Sequence, residues 1–431
     1  MKYAQPKGTF DIIPDESKPE NQWKESHKWD YLESVIRQLV RDYGYKEIRT
    51  PIFEKTDLFV RGVGETSDIV SKEMYSFLDK ADRSMSLRPE GTAAVIRAFV
   101  QNQMQQLGNL HKFFYIGPFF RYDRPQAGRY RQFHQFGIEA IGNGEPEQDF
   151  EVIELLFELY RRLGLTNLKV LINTLGDLPC RAKYKEALLA FLQPHFSTLS
   201  PESQARFTKN PLRILDSKDQ KERALLEYAP SILDFLTPKS KDHFDEVCTL
   251  LSEQNIPFEV DSKLVRGLDY YNHTVFEITS NVLGAQNTIG AGGRYDGLLP
   301  AIGGPDLPCI GFSTGIERIL QTMEGQNIPF PSKKGPYVTF ITLGEASQKI
   351  AFKFLYELRH RKIPSDLIAG KKIQKALQSA GQNASSLVVI IGDEELAKNL
   401  VQVKNMDTRN LKEIAIDTLI EHLTKEFNHG L

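Results

Sequence analysis

Two apolar runs of β character flank a polar bend in this chain: HKFFYIGPFFRYD, the turn-rich RPQAGRY, then RQFHQFGIEAIG. Segments rich in Phe, Tyr and Ile, the second of them alternating in polarity, joined by a Gly- and Pro-containing loop, predict an antiparallel hairpin. Its first strand is expected to break at Gly117-Pro118. The hairpin carries arginines at its bend, and an antiparallel sheet is the frame that the remaining elements have to fit.

Around the hairpin the periodicity changes several times. Trp23 to Tyr45 reads as an amphipathic helix, with Trp29, Leu32, Ile36, Leu39 and Val40 at three- and four-residue steps before Gly44 ends it. Tyr45 to Phe53 reads as extended, because Thr50 precedes Pro51 and the residue before proline is pushed away from helix. Helices are expected over Gly91–Gln106 and Phe150–Leu163, and a strand at LKVLINTL. From about Asp177 to Ser252 the pattern is helical and rich in Lys, Glu and Leu, with breaks at Pro194, Pro211 and Pro230, as in a small helical insertion. Strand signals resume at FEVDSKLVRGLDYYNHTVFEITS and NTIGAGGRYDGLL, and the helix GIERILQTM closes this part. GQNIPFPSKKGP has the composition of a linker, and YVTFITL, a helix over Ser347–Arg361, LVVIIG and a last helix predict a separate α/β domain. A chain of 431 residues is long enough for two or three domains.

Composition excludes little but excludes it clearly. Apolar residues at 41% supply material for packed cores, so disorder is not the default. There is no run of about 18 apolar residues and no signal-peptide pattern at the start, which reads as an unexported, cytoplasmic protein without a membrane span. Cys180, Cys248 and Cys309 lie far apart without a CxxC pair, which fits inert thiols in a reducing compartment. The nine histidines show no HExxH and no ligand spacing with carboxylates, so no protein-held metal is assigned. A net charge of −2 is silent about nucleic acid, because RNA contacts need only a local basic surface.

The familiar phosphate cradles are missing. No GxxxxGK[ST] occurs, and GAGGRYDG has Tyr295 where GxGxxG needs its third glycine. A nucleotide would have to be held by side chains, and the candidates are three arginines placed on strands: Arg121 in GPFFRYD, Arg266 in LVRGLDYY and Arg318 in GIERI. Arginine stays charged at any working pH and presents a planar fork that matches phosphate or carboxylate oxygens. A single strand arginine is ordinarily a surface or ion-pair residue, and Arg266 has Asp269 nearby as such a partner; the case rests on the three together.

At these residues the chain resembles the class II aminoacyl-tRNA synthetases, and within them the histidyl-tRNA synthetase family. TPIFEKTDLFVRGVGETSDIV is similar to the first class motif, with Pro51 at the dimer interface; YIGPFFRYDRPQAGRYRQFHQFGIEAIG to the second; IGFSTGIERI to the third. LVRGLDYYNHTVFEI and GAGGRYDGL resemble the histidine-specific signatures, and the likeness runs from PKGTFDIIPDE into the C-terminal domain, weakening in the insertion. The resemblance implies an α+β fold: a six- or seven-stranded, mainly antiparallel sheet flanked by helices over residues 1–325, interrupted by the insertion at about 177–252. A linker at 326–334 and an α/β anticodon-binding domain at 335–431 would follow, and the chain would form a homodimer.

The activity implied is activation of L-histidine with ATP, Mg2+ entering with the ATP, followed by esterification of tRNA(His). Arg121 would grip the α-phosphate and the histidine carboxylate, Arg266 would stand beside the α-phosphate where relatives use a magnesium ion, and Arg318 would hold the γ-phosphate. Glu139 and Tyr271 would read the imidazole, whose neutral form offers one donor and one acceptor; Glu90, Thr92 and Gln135 would meet the ammonium side, and Tyr270 would line the pocket. Phe133 would stack on adenine, and Gly292 and Gly293 would let the backbone approach the nucleotide. Asp123 stands where the family usually has glutamate, so a contact to the adenine amino group needs help from backbone or water. Arg124 and Gln126, in a loop that also holds Arg129 and Arg131, would face the tRNA acceptor end. Lys371, Lys372 and Lys375 form a basic cluster that by itself reads as a solvated face. The rival readings are a synthetase-like regulatory subunit and an RNA-binding or kinase-regulatory module, both expected to have lost ATP contacts.

Overall fold

The computed structural model describes residues 3–64, 67–125, 128–280, 287–370 and 372–429. It divides into two compact units, Met1–Phe330 and Pro331–Leu431.

In chain order the first unit contains strands β1 (Lys46–Glu47), β2 (Phe53–Lys55), β3 (Ser76–Leu78), β4 (Ser84–Leu87), β5 (His111–Phe120), β6 (Gln132–Ile141), β7 (Leu168–Thr174), β8 (Phe258–Val260), β9 (Asn272–Ser280), β10 (Thr288–Arg294) and β11 (Cys309–Gly315). Eight of them form one sheet in the order β1-β5-β6-β11-β10-β9-β7-β8, and β2, β4 and β3 form a small antiparallel sheet. The six long strands pair antiparallel, while the short β1 and β8 join each edge in parallel. Those two edge strands raise the expected six or seven strands to eight; they are only two and three residues long and lie in stretches read as extended, Tyr45–Phe53 and the run that begins at Phe258.

The hairpin is β5 and β6, in register from His111↔Ile141 to Phe120↔Gln132. The predicted break at Gly117-Pro118 does not occur, and the ladder runs through Pro118↔His134. β1 covers only Phe113 and Phe114, so beyond them β5 has no second strand neighbour to demand the missing N–H of Pro118.

Period-two alternation decides which face does what. On β6, Phe136, Ile138 and Ala140 are fully buried and pack, with Ile310 and Phe312 of β11 and Phe276 and Ile278 of β9, against helices Ser26–Asp42, Pro146–Arg162 and Ile316–Gly325. The intervening residues point to the other face. The first of these helices buries Trp29, Leu32, Ile36, Leu39 and Val40, the residues its spacing singled out. It starts at Ser26, Trp23 belonging to a short turn ahead of it, and ends before Gly44, whose φ of 74° suits glycine. The helix Pro146–Arg162 begins on proline, with Glu147 and Asp149 in its first turn and Arg161 and Arg162 in its last, as the helix dipole favours.

The insertion is helical from Leu178 to Glu253. Its helices are capped by Asp177, Ser200, Asp219 and Thr237, whose side chains accept from backbone N–H groups, and its core joins Tyr184, Leu188, Leu192, Ile214 and Leu226 to Val275 of β9.

The second unit holds β12 (Val338–Thr342), β13 (Ser365–Ala369), β14 (Leu387–Ile391), β15 (Leu400–Asn405) and β16 (Leu411–Ala415) in the order β13-β12-β14-β15-β16. β12 is parallel to β13 and β14, and β15 and β16 add an antiparallel edge. Helices Glu345–His360 and Leu419–His429 bury Leu355, Leu358, Leu419 and Leu423 against it. Lys372 and Lys375 are exposed at the start of the helix Ile373–Gln382, and Lys371 lies outside the described residues. No helix among the described residues is long and apolar enough to cross a membrane.

Candidate active site

The outward residues of β6, β11 and β9 form the floor of a cavity of about 570 Å³ in the first unit. Arg121, Arg266 and Arg318 all line it, together with Glu90, Thr92, Asp123, Phe133, Gln135, Tyr270 and Tyr271. Arg121 thus shares one concave surface with arginines 145 and 197 positions further along the chain. They are not on strands as the sequence reading had them. Arg121 follows the end of β5, Arg266 sits in the loop before β9, and Arg318 is in the first turn of the helix Ile316–Gly325. Strand ends and loops let guanidinium groups from three directions converge where a continuous ladder would hold them apart.

Each guanidinium is held from behind. Arg121 Nε donates to the carbonyl of Pro89 at 2.8 Å, and its plane lies 5.4 Å from the ring centre of Phe133. Arg318 donates to the carbonyls of Gly128 at 3.1 Å and Thr288 at 2.7 Å. Arg266 pairs with Glu277 of β9 rather than with Asp269, and Glu277 in turn accepts from the Thr288 hydroxyl at 2.6 Å. Burial lowers the pKa of Arg121 and Arg318; for Arg266 burial also pulls downward, but Glu277 together with Tyr271 and Tyr270 outweighs it and the value rises. Buried cations gathered in this way favour an anionic occupant. Polar atoms at the wall, Gln135 Oε1, Arg213 Nε and Arg266 Nε among them, are buried without a hydrogen-bond partner, and such atoms are costly unless a ligand or water meets them.

Beside the arginines lies an acidic and phenolic corner. Glu139 of β6 is almost fully buried and is not among the lining residues. Its carboxylate accepts from the hydroxyls of Thr92 at 2.8 Å and Tyr115 at 3.4 Å, and from Tyr295. Those three residues do line the cavity. Burial pushes Glu139 up to about 8, the hydroxyl hydrogen bonds opposing it. Tyr270 and Tyr271 pack at 4.7 Å, in a loop rather than a strand, and burial raises both phenols. Glu90 directs both oxygens at the backbone N–H groups of Thr92 and Ala93, at 2.7 and 2.9 Å, and so caps the helix Thr92–Gln101.

The remaining candidates lie outside the cavity or, like Asp123, already meet a protein partner there. Gly292 and Gly293 of β10 do not line the cavity; a Cβ at Gly292 would overlap the Gly311 carbonyl and Phe312, and one at Gly293 the Thr274 carbonyl, so their smallness serves contact within the sheet. Arg294, next in that motif, is buried on Asp149, with Nε to Oδ1 at 3.0 Å. Asp123 is paired with Arg129, which also reaches Glu73 at 3.5 Å. Arg124 is exposed, its N–H donating to Asp123 at 2.6 Å, and Gln126 lies outside the described residues. Sequence reasoning passed over Glu277, Tyr115 and the role of Tyr295. Glu277 was legible as the carboxylate between Phe276 and Ile278, on the face of the strand opposite theirs. Among the described residues no group of three or more His, Cys, Asp or Glu is placed to hold a metal ion.

This arrangement has close parallels. Residues 20–319 match the sequence pattern of the family described as Histidyl-tRNA synthetase, and residues 337–426 that of the Anticodon binding domain. The chain is similar to a histidine–tRNA ligase of Protochlamydia amoebophila (strain UWE25), 54% identical over 420 residues that cover 97% of this chain and 99% of that one. A histidine–tRNA ligase of Desulforamulus reducens is 46% identical over 421 residues, 97% and 98% of the two chains. The crystal structure of apo S. aureus histidyl-tRNA synthetase superposes with a TM-score of 0.82 at 38% identity, covering 98% of this chain and 100% of that one. On the strength of both matched sequence patterns and of relatives similar from end to end, this chain belongs to the histidyl-tRNA synthetase family.

Proposed function

We propose that the chain is a histidine–tRNA ligase, activating L-histidine with ATP and esterifying the 3′-terminal adenosine of tRNA(His). The observation that carries the reading is the single cavity shared by Arg121, Arg266 and Arg318, beside the corner formed by Glu139, Tyr270, Tyr271 and Tyr295.

In the first step an oxygen of the histidine carboxylate attacks the α-phosphorus, and the bond to the bridging oxygen breaks to release pyrophosphate. Two anions must meet, so the work of the site is neutralisation and alignment rather than proton transfer. Arg121 and Arg266 supply charge at the α-phosphate and carboxylate, and Arg318 at the far end of the triphosphate. Mg2+ bound to ATP would supply further neutralisation of its phosphates. Phe133 offers a flat face for adenine, and Gln135 Oε1 an acceptor for the substrate ammonium. Tyr271 and the hydroxyls hydrogen-bonded to Glu139 read the imidazole. A pocket built to hydrogen-bond its ligand rejects analogues that leave its buried groups unpaired. In the second step a ribose hydroxyl of the tRNA attacks the acyl carbon and AMP leaves.

Three further parts of the reading have their own support. Ile52 and Phe53 beside Pro51, and Phe77 and Leu78 on β3, are 46%, 52%, 44% and 65% exposed, an apolar surface that a second copy would cover in a homodimer. Arg124 is presented to solvent at the hairpin bend, as contact with a tRNA acceptor end requires. The three cysteines are free thiols, which suits the cytoplasm. The test is ATP–pyrophosphate exchange with pure protein: histidine should support it and other amino acids should not, whereas a folded protein inactive with histidine would favour a regulatory role.

A further inference from the structure

Residues 266–271 carry Arg266, Tyr270 and Tyr271, yet they belong to no strand or helix, so no backbone ladder sets their shape. Side chains from the helical insertion hold them instead. Arg213, in the turn Pro211–Asp216 and nearly buried, donates from Nη1 to the Gly267 carbonyl at 2.7 Å. Its Nη2 donates to Asp68 Oδ2 at 3.1 Å, and Arg206 of the helix Pro201–Lys209 meets that same oxygen at 3.1 Å. Asn210 donates to Asp269 at 2.8 Å. From the other side, the Asp269 N–H donates to the Val63 carbonyl at 3.2 Å. Asp68 and Arg213 themselves line the cavity.

We propose that the insertion positions the Arg266–Tyr271 loop for adenylate formation, with Arg213 as the positioning residue and Asp68 as the anchor that orients it. The proposal rests on the function read above. Arg213 is a fork: one arm fixes the carbonyl next to Arg266, and the other is fixed by a carboxylate outside the insertion. Moving the insertion or removing that fork frees the segment that carries a phosphate-facing guanidinium and two pocket phenols. Misplacement by about 1 Å can cost on the order of a hundredfold in rate.

The experiment compares wild type, Arg213→Ala, Arg213→Lys, Asp68→Asn and the double variant in two readouts. Backbone amide exchange is measured on the ligand-free chain, which makes it independent of any activity. Arg213→Ala and Asp68→Asn should speed exchange at 267–271 while leaving the helix Thr92–Gln101 as slow as in wild type. In histidine-dependent pyrophosphate exchange, Arg213→Ala should lose roughly tenfold to a hundredfold in kcat. Arg213→Lys should recover part of this, Asp68→Asn should lose less, and the double variant should be no worse than Arg213→Ala. Should Arg213→Ala unfold the insertion, the more exposed Asp68→Asn decides by the same two readouts. Wild-type protein that fails with histidine overturns the functional reading and leaves the amide measurement to judge the loop. Unchanged amide exchange at 267–271, or additive losses in the double variant, overturns the positioning role.

Discussion

Glu139 shows how much one side chain can depend on its surroundings. Its carboxyl accepts three hydroxyl hydrogen bonds, yet burial dominates and raises it from an ordinary 4.5 to about 8. Between those values the folded chain holds a proton that the unfolded chain has released, so Glu139 makes stability fall as pH rises through that window. Urea unfolding of wild type and Glu139→Gln across the window should therefore give curves that separate, wild type losing ground toward pH 8; parallel curves would contradict the buried, protonated carboxyl. Arg266 makes the complementary case for charge. Arg266→Ala should cut histidine-dependent exchange by roughly a hundredfold or more with the melting temperature little changed, as expected when a preorganised charge is removed from a transition state. Arg266 was legible in sequence as one of three candidate phosphate-binding arginines, Glu139 only through motif resemblance. Their partners Glu277 and Tyr295 were not legible as partners, because pairing across strands depends on register and a sequence read locally does not contain register.

At the scale of elements, the alternation along β6 and β9 does most of the placing, sending Ile138 and Phe276 to the helices and Glu139 and Glu277 to the other face. That alternation was readable beforehand, as was the apolar stripe of the helix Ser26–Asp42. The continuous path through Pro118 was not, since it depends on which side of β5 lacks a neighbour. Strand and helix are also tied by charge: Arg294 of β10 is buried on Asp149 of the helix Pro146–Arg162, whose pKa falls because Arg294 and His243 outweigh burial. Arg294→Leu leaves that buried carboxylate with only His243, 3.4 Å away, as an ionic partner among the described residues and should cost about 3–5 kcal/mol, measured by urea denaturation; a loss below about 1 kcal/mol would show that the pair carries little. Gly137 lies under the Tyr115 ring, and Gly137→Ala should cost about 1–3 kcal/mol by overpacking.

Across the whole molecule, order along the chain says little about proximity. Arg121, Arg266 and Arg318 are separated by six strands, β6 to β11, and by the helical insertion, and the sheet brings them to one cavity. The insertion, read from sequence only as a helical interruption, supplies Arg213 and Lys218 to the wall of that cavity. The exposed Phe53, Phe77 and Leu78 belong to the proposed assembly, and Leu78→Glu should shift the protein toward monomer in sedimentation velocity and reduce exchange with it. The most direct test of the central claim is a crystal structure determined with ATP and histidine bound. The phosphates should lie within hydrogen-bond distance of Arg121, Arg266 and Arg318, with the imidazole against Tyr271 and the hydroxyls that meet Glu139. Phosphates bound at another surface, with those three guanidinium groups still turned to their protein partners, would contradict it.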